Sequence, residues 1–274
     1  MVAANGARLS KKDHPTLPLE KEQIVQTALA CKKAGAQALH LHVRDDNFKH
    51  VLDLKRYDET IKAIKNVCSD DFIVQATTEA VGVYKPEDMI QLIKSLKPQA
   101  TSVAIKELLP SKDDKKELKA AKDFYHFAKE ENIGIQHILY SSDELKRFYD
   151  LLQKGVICGD KHSILFVLGR YTKDQQSDPL SLISYLKTLK ELNLEDKVNW
   201  MLCAFGKKEI PSLITAGVLG GNCRIGFENS RVLPTGEIAK DNQSQVKYLR
   251  KIFDLLNIKK VTKEHMREVL GIFK

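Results

Sequence analysis

Short apolar runs and amphipathic stretches alternate along the whole chain. The apolar runs fall near residues 1–6, 38–43, 72–76, 100–105, 133–139, 163–168, 198–203 and 222–227. Between them, near 20–34, 54–67, 86–96, 113–131, 142–154, 178–191, 207–216 and 241–256, lie amphipathic stretches of helical spacing. In the first of these, Ile24, Ala28 and Cys31 share one side, with Glu22, Gln26 and Lys33 elsewhere. The runs predict strands and the stretches predict helices. Local signals sharpen several ends. Asp178-Pro179 sets a capping carboxylate before a proline at the first helical position. Pro86 opens a helix that Lys97-Pro98 stops, and Ser142 and Asp143 open the stretch before Leu145.

Eight strand–helix pairs, with no Gly/Ser linker and no composition break, predict an α/β fold: a (β/α)₈ TIM barrel forming a single domain over residues 1–274. A doubly wound sheet is the alternative. It lacks support, because no G-x-G-x-x-G follows any strand and Leu219-Gly220-Gly221-Asn222 does not fit that pattern. A last amphipathic piece, Lys263–Phe273, predicts an extra C-terminal helix packed on the barrel or on a partner subunit.

Composition changes this picture little. Hydrophobic residues make up 43% of 274, enough for a full core. The net charge of +8 comes from 44 basic and 36 acidic side chains, and the lysines are scattered, as in Lys112–Lys122 with its interleaved acids. That reads as a solvated face, compatible with an anionic substrate or a phosphate-bearing cofactor. No basic stripe with aromatics points to nucleic acid. Cys31, Cys68, Cys158, Cys203 and Cys223 are odd in number and form no C-x-x-C, which predicts a reducing, cytoplasmic setting. No signal-like segment and no apolar run of about 18 residues appears, so no membrane association is expected.

The candidate chemistry starts at His40-Leu41-His42. Residues two apart on a strand share a face, so both imidazoles lie side by side while Leu39, Leu41 and Val43 face the other way. Such a pair offers two ligands to a divalent metal, zinc by default; a hydrogen-bonded histidine pair is the alternative. Barrel enzymes gather functional side chains at the C-terminal ends of strands. His40 and His42 end the second strand, and Glu228 is expected to close the eighth. Both strands flank the first, so the three side chains can converge on one ion with an open position. Glu228 can equally pair with Arg224, four residues earlier, and an arginine can orient a ligating carboxylate. The donor set also suits manganese, cobalt or iron. Other strand ends ring the same mouth: Asn5-Gly6-Ala7-Arg8, Thr77-Thr78-Glu79, Thr101-Ser102, Gly169-Arg170 and Ala204-Phe205-Gly206.

Several of these motifs together resemble the β-keto acid cleavage enzyme family. They are Asn5-Gly6-Ala7-Arg8 with Asp13-His14-Pro15, His40-Leu41-His42-Val43-Arg44-Asp45, Cys203-Ala204-Phe205-Gly206, and the stretch Gly220–Glu228. The resemblance runs over nearly the whole chain in the same order. It implies a zinc-dependent, homotetrameric TIM barrel that converts a β-keto acid and acetyl-CoA into acetoacetate and a new acyl-CoA. His40, His42 and Glu228 match the family's zinc ligands. Thr77 and Thr101 match hydroxyls that hold the substrate carboxylate, and Arg224 matches a catalytic-site arginine.

Three departures bear on function. Arg8 stands where the lysine-fermentation branch has an acid that meets the substrate's amino group. A neutral or anionic β-keto acid is therefore expected. Asn229 follows the ligating glutamate where the family has Asp, which removes a general base. The fifth strand, Gln136-His137-Ile138-Leu139, lacks the expected carboxylate, with His137 as its one candidate substitute. A different metal-dependent hydrolase or aldolase and a zinc-containing metabolite binder remain the alternatives.

Overall fold

A computed structural model describes residues 1–273. Its elements are β1 (Val2–Ala3), α1 (Lys21–Lys33), β2 (Ala38–Leu41), α2 (Leu54–Cys68), β3 (Ile73–Thr77), α3 (Pro86–Leu96), β4 (Ala100–Ala104), α4 (Ile105–Leu108), α5 (Lys115–Glu130) and β5 (Gly134–Leu139). They continue with α6 (Ser142–Gln153), β6 (His162–Leu168), α7 (Leu182–Glu191), β7 (Val198–Ala204), α8 (Glu209–Val218), β8 (Asn222–Cys223), α9 (Asn242–Leu255) and α10 (Lys263–Val269). The strands pair in sequence order, all parallel. A bridge between Val2 and Ile225 joins the two ends of the sheet. Ala3 N donates to Ile225 C=O at 2.8 Å and Ile225 N donates to Met1 C=O at 3.1 Å. The result is a TIM barrel closed along a narrow seam.

Most helix ends follow their local chemistry. The Asp53 carboxylate accepts from Arg56 N at the start of α2, whose buried residues Tyr57, Thr60, Ile64 and Cys68 repeat at helical spacing. Lys97 ends α3 in the left-handed region (φ 45°), because Pro98 disfavours right-handed helix at the residue before it. Two starts differ from expectation by a shift. Ser141, not Ser142, caps α6 by accepting from Glu144 N. Asp178 caps a short 3₁₀ turn, Pro179–Ser181, and α7 begins only at Leu182.

Strand alternation divides the core. Leu39, Leu41, Val74, Ala76, Val103 and Phe166 face outward and pack beneath the helices. Ala38, Ile73, Ala100, Leu165 and Met201 face the barrel interior, where they meet Met266, Val269, Leu270 and Ile272. The expected C-terminal helix therefore exists, shorter than expected. It closes the floor of the barrel, at the N-terminal ends of the strands, and the site lies at the opposite end. No described helix is long and apolar enough to cross a membrane.

Candidate metal centre

His40 is the third residue of β2 and His42 follows its end; both are fully buried. Their outward neighbours Leu39 and Leu41 pack under helices, and this anchoring turns both imidazoles into the barrel mouth. The Nε2 atoms lie 3.1 Å apart. Glu228 reaches them by a route the strand pattern did not show. β8 ends at Cys223, and the backbone swings away at Gly226, where φ is 144°. An added Cβ there would meet the Ala3 carbonyl carbon at 2.9 Å, so only glycine allows this approach. Glu228 thus sits in a turn, its N–H donating to Ala3 C=O at 3.1 Å. Its Oε2 lies 3.4 Å from His42 Nε2 and 3.7 Å from His40 Nε2.

Hydrogen bonds decide where the imidazole protons are. His50 Nε2 lies 2.9 Å from Glu79 C=O, a group that only accepts, so His50 carries its proton there. Burial pushes the His50 imidazole down to about 4, so it is neutral and its Nδ1 accepts. His42 Nδ1, 3.4 Å away, is then the donor, and His42 Nε2 is left bare. His40 Nδ1 lies 2.8 Å from Gln75 Oε1 and donates to it, baring His40 Nε2 as well. Burial likewise holds His40 and His42 neutral, at about 4 and about 3. Two nitrogen lone pairs and a carboxylate oxygen thus face one point, and Glu228 Oε2 is buried without a hydrogen-bond partner. Metal–ligand bonds of about 2.0–2.1 Å in a tetrahedron put neighbouring donor atoms ~3.3 Å apart. The 3.1, 3.4 and 3.7 Å separations match that spacing. His40, His42 and Glu228 therefore fit a divalent ion, and they are the group of three such donors found among the described residues.

Arg224 completes the centre. Its Nη2 donates to Glu228 Oε1 at 2.9 Å and to Asn229 Oδ1 at 3.1 Å, while Nε and Nη1 are buried without partners. Burial by itself would raise the Glu228 carboxyl, but the Arg224 guanidinium beside it outweighs burial and holds the group well below the usual range. The ion pair occupies Oε1 and leaves Oε2 open toward the two imidazoles.

Beside the triad opens a cavity of about 110 Å³ lined by Asn5, Arg8, Thr77, Ser102, Arg170 and Arg224 among others. Thr77 is where the sequence placed it. Thr101 is not: its Oγ1 donates to Ala76 C=O at 2.9 Å on the outer face of the sheet. The hydroxyl that β4 presents to the cavity is Ser102, whose oxygen has no partner. The Val103 and Ile105 positions, which must face the helices, carry Thr101 outward with them. Asn229 lies behind Arg224, Oδ1 accepting from the guanidinium and Nδ2 donating to Arg224 C=O at 3.2 Å. An acid there would act on the guanidinium, not on a substrate directly. His137 is outside the site, stacked on Tyr125 and donating from Nδ1 to Ser163 C=O at 3.1 Å.

Sequence reasoning gave no role to His50 and Gln75, and named Glu79 only within the strand end Thr77-Thr78-Glu79 at the mouth. His50 sits in a loop with no periodicity to mark it, and Gln75 is an amide inside an apolar strand. Glu79 projects into the cavity, 3.2 Å from Arg8, 3.8 Å from Arg170 and 3.9 Å from His42. Burial and the nearby Glu228 charge push it up to about 7, partly offset by Arg8 and Arg170.

A model of the β-keto acid cleavage enzyme family matches residues 1–272. The chain is 25% identical over 280 residues to the 3-keto-5-aminohexanoate cleavage enzyme of Acetoanaerobium sticklandii, spanning 100% of this chain and 97% of that one. It is also 25% identical to the 3-oxoadipate:acetyl-CoA acetyltransferase of Cupriavidus necator, over 99% of this chain and 93% of that one. Among solved structures, apo ObcA superposes with a TM-score of 0.71 at 15% identity, covering 94% of this chain and 66% of its own length, which speaks to the fold. The family match from end to end, on a barrel of this architecture, places the chain in the β-keto acid cleavage enzyme family.

Proposed function

We propose that the protein is a zinc-dependent β-keto acid cleavage enzyme that uses acetyl-CoA as co-substrate and yields acetoacetate and a new acyl-CoA. The carrying observation is the convergence of two bare imidazole nitrogens and an unpartnered carboxylate oxygen beside a polar cavity. Zinc held by His40, His42 and Glu228 would supply Lewis-acid stabilisation of the charge that develops on the β-keto oxygen. Arg224 offers two unpartnered nitrogens, Nε and Nη1, to an anionic substrate, and its position is fixed by Glu228 and Asn229. The Thr77 and Ser102 hydroxyls line the same cavity and suit the substrate carboxylate. Glu79 supplies the cavity-facing carboxylate that the fifth strand lacks, and it is the group placed to hold a proton near substrate.

Arg8 and Arg170, both on the Glu79 carboxylate, give the rim two cations. They disfavour an ammonium-terminated substrate and favour a neutral or carboxylate-terminated one. The test is to incubate zinc-loaded protein with acetyl-CoA and a panel of β-keto acids, following acetoacetate by mass spectrometry. Turnover is expected with uncharged or dicarboxylic acids and is expected to vanish in His40→Ala. Arg8→Ala should lower kcat/KM for a dicarboxylic substrate about 10- to 100-fold, the worth of one charge-assisted hydrogen bond. Faster turnover of 3-keto-5-aminohexanoate would refute the rim assignment. One zinc per chain, ligand-dependent thermal stabilisation and no turnover across the panel would refute catalysis and leave a metabolite binder.

A further inference from the structure

A file of buried polar side chains crosses the barrel interior from the floor to the metal centre. Val269, at the end of α10, presents its backbone carbonyl to the barrel interior. The Ser163 hydroxyl donates to it at 2.5 Å. Gln136 Nε2 donates to Ser163 Oγ at 3.2 Å and to the same Val269 carbonyl at 3.4 Å. Gln75 Nε2 donates to Gln136 Oε1 at 3.2 Å. Gln75 Oε1 is then the group that faces His40 Nδ1 at 2.8 Å. Gln75, Gln136 and Ser163 are each completely buried.

We propose that the Val269 carbonyl, acting through Ser163, Gln136 and Gln75, fixes His40 in the tautomer that presents a bare Nε2 to the metal centre. The reasoning depends on direction. A carbonyl can only accept, so the Ser163 O–H must point down to it and its lone pair must face up. Gln136 is therefore held with its amide nitrogen toward the floor and its oxygen toward Gln75. That oxygen fixes the Gln75 amide in turn, with its own oxygen toward His40. Reversing any single amide sets two donors or two acceptors against each other in a completely buried layer. With the file intact, His40 must carry its proton on Nδ1. Gln75 and Gln136 are positioning residues: they touch neither ion nor substrate, and α10 acts on the centre from the far end of the barrel. This inference rests on the metal reading of the site given above.

The test separates the two claims. In the metal-free wild-type protein, long-range ¹H–¹⁵N spectra of the imidazoles report the tautomer without any ion. His40 is expected to be protonated on Nδ1, and an Nε2–H signal would overturn the proposal whether or not zinc binds. In chelator-competition titrations Gln136→Met, which fills the space but frees Gln75 to reverse, is expected to lower zinc affinity about 10- to 100-fold. The double variant Gln75→Glu/Gln136→Met should recover most of that loss, since a carboxylate accepts from Nδ1 in either orientation. A role in packing alone would give no such recovery. Wild-type zinc affinity in folded Gln136→Met, or no recovery in the double variant, would overturn the relay. Failure of the wild type itself to bind zinc would instead strike the metal reading. If Gln136→Met does not fold, the wild-type tautomer alone decides.

Discussion

Glu228→Gln is expected to leave a barrel that no longer retains zinc. The substitution keeps the shape that packs on Gly6 and the acceptor for Arg224, but removes the anion. The loss of affinity should exceed the roughly 10- to 100-fold typical of losing a hydrogen-bond partner behind a ligand, since a ligand itself is gone. A second loss is independent of metal. Arg224 is buried, its Nη2 donates to Glu228 at 2.9 Å, and no other anion is bonded to it. Without the charge on Glu228, a buried guanidinium stands uncompensated, at a cost on the order of 3 kcal/mol. Chelator competition reads the first loss and urea melts of metal-free protein read the second. Zinc affinity within twofold of wild type would remove Glu228 from the ligand set.

Metal-free protein is expected to lose stability steeply as the pH falls below about 6.5. His40, His42, His50, His137 and His162 are all held by burial at about 3 to about 4, against an ordinary 6.5. The unfolded chain takes up protons on them below 6.5 while the folded chain does not. Each therefore removes about 1.4 kcal/mol per pH unit between 6.5 and its folded value. Three carboxyls act in the opposite sense. Glu79, Glu107 and Glu209 are raised by burial, so the folded state binds their protons first and gains stability as pH falls toward 4.5. Five groups against at most three leave a net loss of at least ~3 kcal/mol per pH unit. A domain with roughly 5–15 kcal/mol of stability does not withstand that for long. Urea melts at pH 7, 6 and 5 measure the slope, and His137→Phe, which removes one titrating group far from the centre, should reduce it by about 1.4 kcal/mol per pH unit. Zinc should protect, because His40 and His42 cannot take up protons while ligated. Equal stability at pH 7 and pH 5 without metal would contradict the burial of these histidines as neutral bases.

The barrel was readable because its signal is redundant. Alternating apolar runs and helical stretches repeat eight times, so a misplaced cap at Ser142 or Asp178 changes nothing downstream. The shared face of His40 and His42 was readable for a related reason, since Leu39 and Leu41 fix which face they occupy. Glu228 does not close the eighth strand as the pattern implies, because Gly226 breaks the strand period and the carboxylate arrives from a turn. The hydroxyl on β4 shows the cost of carrying a motif over without checking parity: Val103 was available to show that Thr101 faces outward and Ser102 inward. His50, Glu79 and the Gln75–Gln136 pair act through contacts between residues far apart in sequence. Apart from the strand-end position of Glu79 no local pattern marks them, and only the assembled barrel brings them together.

The narrow junction between the first and last strands carries one more implication. It is held by a handful of backbone hydrogen bonds near Val2, Ala3 and Ile225, the thinnest lateral joint in the sheet. The three donor side chains straddle it, two from the strand beside β1 and one from the turn after β8. An ion gripped there would act as a clasp on the cylinder, so that loading the centre and locking its wall become the same event.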